Sequence, residues 1–364
     1  MNSFGRGGAE KSTTAFMLHL ASTFKNYEII GIYFYNRNFG AHEILESNGV
    51  KLYHFGQKGY IGKIKALVKL IKEEKPDIVH SVLFEANIVA RFSKLFSRFI
   101  LVESLVNRSY ASNREFRNKT LRLKNNIIKS IDKCTAFLVN HFHCVSNSVQ
   151  DHYEEVYNKK ISCTILRRGR KPAPAQKTDY AIGTQLNFFT IARQEYQKGL
   201  IYIFEAIHKS NLNIVLKIAG RGGDASEELL NYVKENKLEN KIQFIGFRDD
   251  LKDFFLEADA YISGSFFEGS PGSVIEAMSY GLPLILSDIP EHREIGVEGA
   301  NTIYFELKNI EEMIRIFKNI FNEMYDMQKL GIDSIEIFSN DYTEDKIYSG
   351  FDTMYKKLIS DTTN

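Results

Sequence analysis

Residues 260–287 read AYISGSFFEGSPGSVIEAMSYGLPLILS, and this passage decides the fold. Ala260–Ser263 and Leu284–Ser287 are short apolar runs of strand length. Between them Ser273–Tyr280 carries helical periodicity, then Gly281 ends the pattern and Pro283 forbids its return. A strand, a helix and a second strand in one passage form the unit from which parallel sheets are built.

Working outward, the same alternation fills the chain. Strand-length runs recur at Tyr27–Tyr35, Asp77–Val82, Phe99–Val102, Phe142–Val145, Leu186–Ala192, Asn213–Ala219 and Ile242–Ile245. Helical patterns lie at Ala15–Phe24, Ile61–Glu74, Glu85–Leu95, Leu200–Lys209 and Glu227–Lys237. That order predicts an α/β protein of the doubly wound class, with parallel sheets covered on both faces. A chain of 364 residues exceeds one ordinary core, so two domains are expected. The break falls at Arg167–Thr184, RRGRKPAPAQKTDYAIGT, which holds two of the six prolines and no hydrophobic period. We therefore expect a first domain over 1–168, a linker over 169–184 and a second domain over 185–342. The tail, 343–364, would cap the second domain or cross back to the first.

The opening is unusual, because the glycine turn Gly5-Arg6-Gly7-Gly8 comes almost at once. Either the first strand is shortened to Met1–Phe4 or the true start lies upstream. An edge of the first sheet would then lack a neighbour, which is expected to lower stability.

Bulk properties remove several classes of function. Hydrophobic and charged contents of 44% and 25% are those of a globular protein, and a net charge of +2 argues against wholesale nucleic-acid binding. No apolar run reaches the roughly 18 residues of a membrane span, and MNSFGRGGAEK has no apolar leader core. Cys134, Cys144 and Cys163 form no ligand or redox pair, so they read as reduced thiols in a cytoplasmic protein. His141 and His143 share a strand face, but no further ligand stands near them and no metal is expected.

The chemistry concentrates in Glu268–Gly281. Gly269 and Gly272 let backbone approach a ligand, while Ser270, Gly272, Ser273 and Val274 offer amide N–H groups at a helix start. This is an anion site suited to a diphosphate. Glu268 lies at the strand's carboxyl end, where open α/β sheets bind their ligands, and Glu276 follows in the first helical turns. A capped helix with Glu276 complementing its dipole also explains Ser273 and Glu276, but not two glycines and a proline between two carboxylates. Arg193 and Lys198 follow the strand Leu186–Ala192 and suit a departing diphosphate, unless Glu195 merely neutralises one of them. Gly220-Arg221-Gly222-Gly223-Asp224 forms a third loop at the same sheet end.

The spacing Glu268–Glu276 in EGSPGSVIEAM, followed by GLPLILSDI, resembles the retaining glycosyltransferases of family 4. GRGGAEKS, KPDIVHSVLFEANIVAR, VSNSVQDHY, IARQEYQKGL, KIAGRGG and FIGFRDDL agree in order, so the resemblance spans nearly the whole chain. It implies the GT-B fold, two facing Rossmann-like domains with a cleft between them. It further implies that Arg193 and Lys198 hold the donor diphosphate and that Glu268 binds donor-sugar hydroxyls, these three being the catalytic set. Gly272, Ser273 and Val274 would offer amides, Glu276 would accept from the ribose, and Phe247-Arg248 would lie beside the base. Gly220 and Arg221 belong to the same donor site, with Ser270, and Gly7-Gly8 would approach from the other domain. The donor would be a UDP-sugar or GDP-sugar, handled without a cofactor or metal.

The sequence departs from the family in three places. The histidine usual in the N-terminal cleft is missing after FILVESLVNRS, where Ser104, Asn107 and Arg108 stand, so His80, Asn107 and Arg108 are the acceptor-side candidates. The usual Asn-Gly-containing turn is replaced by the basic Arg168-Gly169-Arg170-Lys171, and the first strand is short.

From Arg108 to Lys133, eight cations (Arg108, Arg114, Arg117, Lys119, Arg122, Lys124, Lys129, Lys133) face only Glu115 and Asp132, with Ile127, Ile128 and Ile131 forming an apolar stripe. Such a segment suits an anionic membrane surface carrying a lipid-linked or glycan acceptor, though a plain solvated helix has the same look. The expected activity is sugar transfer in surface-polysaccharide assembly (lipopolysaccharide, O-antigen or capsule), on the cytoplasmic side of the plasma membrane. Two rivals stay open: a nucleotide-sugar epimerase or hydrolase of the same fold, and a catalytically silent glycosyltransferase-like subunit.

Overall fold

The protein is described by a computed structural model over residues 1–5, 7–36, 41–111 and 119–363. It divides into two compact units, Met1–Gly169 with Glu344–Asn364, and Arg170–Thr343.

The first unit alternates α1 (Gly8–Thr23), β1 (Ile30–Tyr33), α2 (Ala41–Ser47), β2 (Lys51–His54), α3 (Gly59–Glu74), β3 (Ile78–Val82), α4 (Phe84–Ser93), β4 (Ile100–Leu105), α5 (Lys119–Thr135), β5 (His141–Cys144), α6 (Asn147–Tyr157) and β6 (Cys163–Ile165). All its strand pairs are parallel, but β1-β2 and β3-β4-β5-β6 form separate sheets. Met1–Phe4 does not make a regular strand. Its start only borders β1, with the Met1 amine donating to Ile32 O at 2.8 Å and Phe34 N to Asn2 O at 2.9 Å. Cavities of about 510 and 120 Å³ open beside β1 and β3, and both are walled by Ile30, Glu74, Pro76, Ile78 and His80. Among the described residues no strand pairs with both β1 and β3.

A buried ion cluster ties α4, β4 and α5 together. Arg91 is fully buried and grips Glu103 with both arms, Nε to Oε2 at 2.8 Å and Nη2 to Oε1 at 2.6 Å. Its Nη1 reaches Asp132 Oδ1 at 2.8 Å, while the Tyr110 and Tyr157 hydroxyls donate to the same carboxylate at 2.7 and 3.0 Å. Burial pushes the Glu103 carboxyl up to about 7 against the opposing pull of Arg91.

The second unit contains β7 (Leu186–Ile191), α7 (Leu200–Ser210), β8 (Ile214–Ala219), α8 (Ser226–Glu235), β9 (Ile242–Gly246), α9 (Lys252–Glu257), β10 (Ala260–Ser263), α10 (Gly272–Ser279), β11 (Leu284–Ser287), α11 (Pro290–Arg293), β12 (Thr302–Phe305), α12 (Ile310–Phe321) and α13 (Met327–Asp341). One parallel sheet runs β12-β11-β10-β7-β8-β9. Its central strands are buried on both faces: Phe188, Phe189, Leu216, Tyr261, Ile262 and Ile285 are all shielded from solvent. Covering helices on both sides explain why these strands read as continuous apolar runs. From β7 the chain moves first toward β9, then returns to place β10 on the opposite flank. The β7/β10 junction is thus the topological switch point, where open α/β sheets bind ligands.

The segment expected as a linker lies against this second unit. Arg170 bridges Thr343, Lys177 N donates to Tyr280 O at 2.9 Å, and Tyr180 donates to Gly281 O at 2.8 Å. Tyr180 fits because Gly331 is a glycine, whose added Cβ would come within 2.3 Å of the ring. The basic turn Arg168–Lys171 straddles the boundary between the units.

The final helix, α14 (Glu344–Thr363), belongs to the first unit. Ile347, Tyr348, Phe351, Met354 and Tyr355 form one cluster with Leu20 of α1 and Val102 of β4, and the rings of Phe16 and Phe351 lie 4.4 Å apart. No helix among the described residues is long and apolar enough to cross a membrane.

Candidate active site

At the switch point, loops after β7 and β10 are in backbone contact. A short 3₁₀ turn, Tyr196–Lys198, ends at Gly199, whose φ is +58° and whose added Cβ would come within 2.1 Å of Gly264 O. Only glycine fits there. Phe266 N donates to Gln197 O at 2.9 Å and Gln197 Nε2 to Phe267 O at 2.7 Å, fixing the second loop to the first. The outcome is an ion pair between residues far apart in sequence: Lys198 Nζ lies 2.5 Å from Glu268 Oε1. Ser265 Oγ donates to the same oxygen at 2.7 Å. Oε2 takes no protein donor among the described residues. Burial works to raise the Glu268 carboxyl, yet Lys198 and Ser265 together hold it below the usual range.

The remaining second-unit candidates are placed less uniformly. Arg193 is 61% exposed and ion-paired with Glu195, the neutralising arrangement weighed from sequence. Gly220 has φ +152° and an added Cβ would reach within 2.0 Å of Ala192 O, so loop-to-loop packing already requires this glycine. Arg221 stacks over Phe247 at 4.4 Å. Arg248 points its fork at Asp250, at 3.0 and 2.9 Å, rather than standing open beside Phe247.

At the α10 start, Ser270 and Gly272 are buried, and the expectation of a free Val274 amide is corrected. Val274 N donates to Pro271 O at 3.0 Å because the helix opens with a tight 3₁₀-type bond. The Gly272 and Ser273 amides have no backbone partner among the described residues. On α10 only Ser273 and Glu276 are not buried, and three residues apart they share one face.

In the first unit, Gly7 N donates to Glu10 Oε2 at 3.0 Å, so this amide is occupied, and Gly8 packs on Arg168. His80 is engaged at both nitrogens. Leu166 O can only accept, so His143 Nε2 donates to it, and His143 Nδ1 then accepts from Ser104. Ser104 in turn accepts from His80 Nε2 at 2.7 Å, leaving His80 Nδ1 to accept from Tyr355 at 2.5 Å. Burial lowers His80 to about 3 and His143 to about 4, consistent with two neutral rings in one directional chain. Asn107 is exposed and accepts from Ser109, and Arg108 is half-buried. Arg114, Glu115 and Arg117 lie outside the described residues. No three His, Cys, Asp or Glu side chains converge as metal ligands among the described residues.

Three residues of this site were not singled out from sequence: Gln197, Ser265 and His292, whose Nδ1 donates to the carbonyl of Ser287 behind Ser265. Gln197 adjoins Lys198, and Ser265 precedes Glu268 by three positions at a strand end, so position was the available signal. His292 offered none, being a lone histidine of a short helix.

Residues 174–332 match the family model of Glycosyl transferases group 1. The UDP-Gal:alpha-D-GlcNAc-diphosphoundecaprenol alpha-1,3-galactosyltransferase of Escherichia coli is 26% identical over 279 residues, 71% of this chain and 70% of the relative. The capsular polysaccharide biosynthesis glycosyltransferase CapH of Staphylococcus aureus is 22% identical, over 69% of this chain and 70% of the relative. Among solved structures, Anabaena Alr3699/HepE in complex with UDP and glucose superposes with a TM-score of 0.80 at 16% identity, over 98% of both chains. With its two parallel-sheet Rossmann-like domains the chain has the GT-B fold of these structures, and its second domain carries the Glycosyl transferases group 1 model, the mark of a nucleotide-sugar glycosyltransferase.

Proposed function

We propose that the chain transfers a hexose from a UDP-sugar to a lipid-linked glycan, with retention of configuration, in surface-polysaccharide assembly. The observation that carries this reading is the Lys198–Glu268 pair at the β7/β10 switch point, with one Glu268 oxygen pinned and the other presented. Glu268 Oε2 accepts from hydroxyls of the donor sugar. Lys198 and Arg193 offset the charge that grows on the leaving diphosphate, a task for which side-chain cations suffice without a divalent ion. The diphosphate meets the Gly272 and Ser273 amides at the α10 start, Glu276 accepts from the ribose, and Phe247 with Arg221 flanks the base. The bond from anomeric carbon to phosphate oxygen breaks as the acceptor oxygen bonds the same carbon on the same face. The acceptor's proton passes to the departing phosphate oxygen, so no protein nucleophile is needed.

The supporting relatives are the E. coli enzyme named for UDP-Gal and a diphosphoundecaprenol acceptor, and HepE, crystallised with UDP and glucose. The test is a calorimetric screen of UDP- and GDP-sugars against the protein and Glu268→Ala. One UDP-sugar is expected to bind on the order of 1 μM to 1 mM, and the variant to keep UDP while losing discrimination among sugars. Equal binding of many donors, unaltered in the variant, would sink the assignment. Turnover of donor without acceptor would instead mark a hydrolase or epimerase, and no donor binding at all a silent subunit.

The acceptor side of the proposal places α5 on an anionic membrane. Leu123, Ile127 and Ile131, spaced four apart, are 61, 54 and 41% exposed, and Arg122, Lys124, Lys129 and Lys133 lie among them. This arrangement suits shallow insertion between acidic headgroups. Flotation with phosphatidylglycerol vesicles is expected to carry the protein upward at low salt and Leu123→Asp/Ile127→Asp less so. Equal recovery with neutral and anionic vesicles would contradict it.

A further inference from the structure

We infer that Ser265 is the positioning residue of Glu268, fixing the rotation of its carboxylate so that Oε2 faces the donor. This rests on the reading of Glu268 given above. A lysine ammonium is a compact point charge that satisfies a carboxylate from many angles. Lys198 alone would therefore hold Glu268 near but leave its plane free to turn. The Ser265 hydroxyl meets the same oxygen from within the β10–α10 loop, so two donors converge on Oε1 while Oε2 takes no protein donor among the described residues.

Ser265 is itself held from behind. It is buried, and its carbonyl accepts from Ser287 Oγ at 2.7 Å; the Ser287 carbonyl accepts from His292 Nδ1 at 2.8 Å. Ser287 and His292 are both fully buried, and His292 is kept neutral, its pKa lowered by burial to about 4. Loops after three strands, β7, β10 and β11, thus define one carboxylate orientation. Functional groups need such support, since misplacement by a fraction of an ångström already costs rate.

The experiment compares Ser265→Ala, Ser265→Thr and Glu268→Gln in steady-state transfer, UDP binding and thermal melting. Ser265→Ala is expected to lower kcat by about 10- to 30-fold with UDP affinity within about twofold and melting nearly unchanged. Its acid limb moves to higher pH, because a carboxylate that loses a donor regains part of its ordinary pKa and protonates sooner on acidification. Ser265→Thr, which keeps the hydroxyl, recovers part of the rate. A Ser265→Ala enzyme with wild-type kcat and acid limb, beside an inactive Glu268→Gln, overturns the positioning role alone. A parallel fall in kcat, UDP affinity and melting also overturns it, as a structural role would do this. Near-normal transfer by Glu268→Gln instead removes the reading of Glu268 on which the inference stands.

Discussion

Lys198→Ala is expected to lower kcat/KM for transfer by about 10²- to 10³-fold, the loss typical of one preorganised donor to a developing negative charge. The large figure follows from enclosure: the Lys198 and Glu268 side chains are only 17 and 13% exposed, so water screens little of their field. Lys198→Arg should not restore activity, because a planar guanidinium fork meets a carboxylate or diphosphate in a different geometry from a compact ammonium. Arg193→Ala is expected to cost only about tenfold, and less at high salt, since Arg193 is mostly exposed and already paired with Glu195. Steady-state kinetics of the three variants at two ionic strengths decides the matter. Equal losses for Lys198→Ala and Arg193→Ala would show that enclosure does not govern the charge.

The second large effect concerns stability. Arg91→Met is expected to destabilise the first unit by about 3–5 kcal/mol, because it strands buried carboxylates rather than merely deleting a contact. Glu103 is 1% exposed and loses both of its guanidinium bonds, while Asp132 keeps its tyrosine donors. The double variant Arg91→Met/Glu103→Leu should recover part of the loss, as apolar replacement of a buried pair often costs little. Urea unfolding of both variants measures this. A loss below about 1 kcal/mol for Arg91→Met would mean that Glu103 simply takes up a proton.

Alternation of element types was readable because it lies in local patterns: β10, α10 and β11 each announce themselves within a few residues. Site residues were readable where chemistry and strand ends coincide, as at Lys198 and Glu268. Their contact was not, because it depends on two glycines in different loops, Gly199 and Gly264, fitting backbone against backbone. Competition for partners was equally hidden. Pro271 O claims the Val274 amide, Asp250 claims Arg248, and Glu10 claims the Gly7 amide. His80 shows the limit most clearly, since its partner Tyr355 lies 275 residues further along.

The helix that carries Tyr355 comes last in the chain yet belongs to the first unit. Domains assemble as units during synthesis, earliest residues first. Here residues 170–343 leave the ribosome before the helix that supplies Tyr348, Phe351 and Tyr355 to the first unit. The half made first is completed last, with Phe16, Leu20 and Val102 waiting for their cover throughout the making of the second.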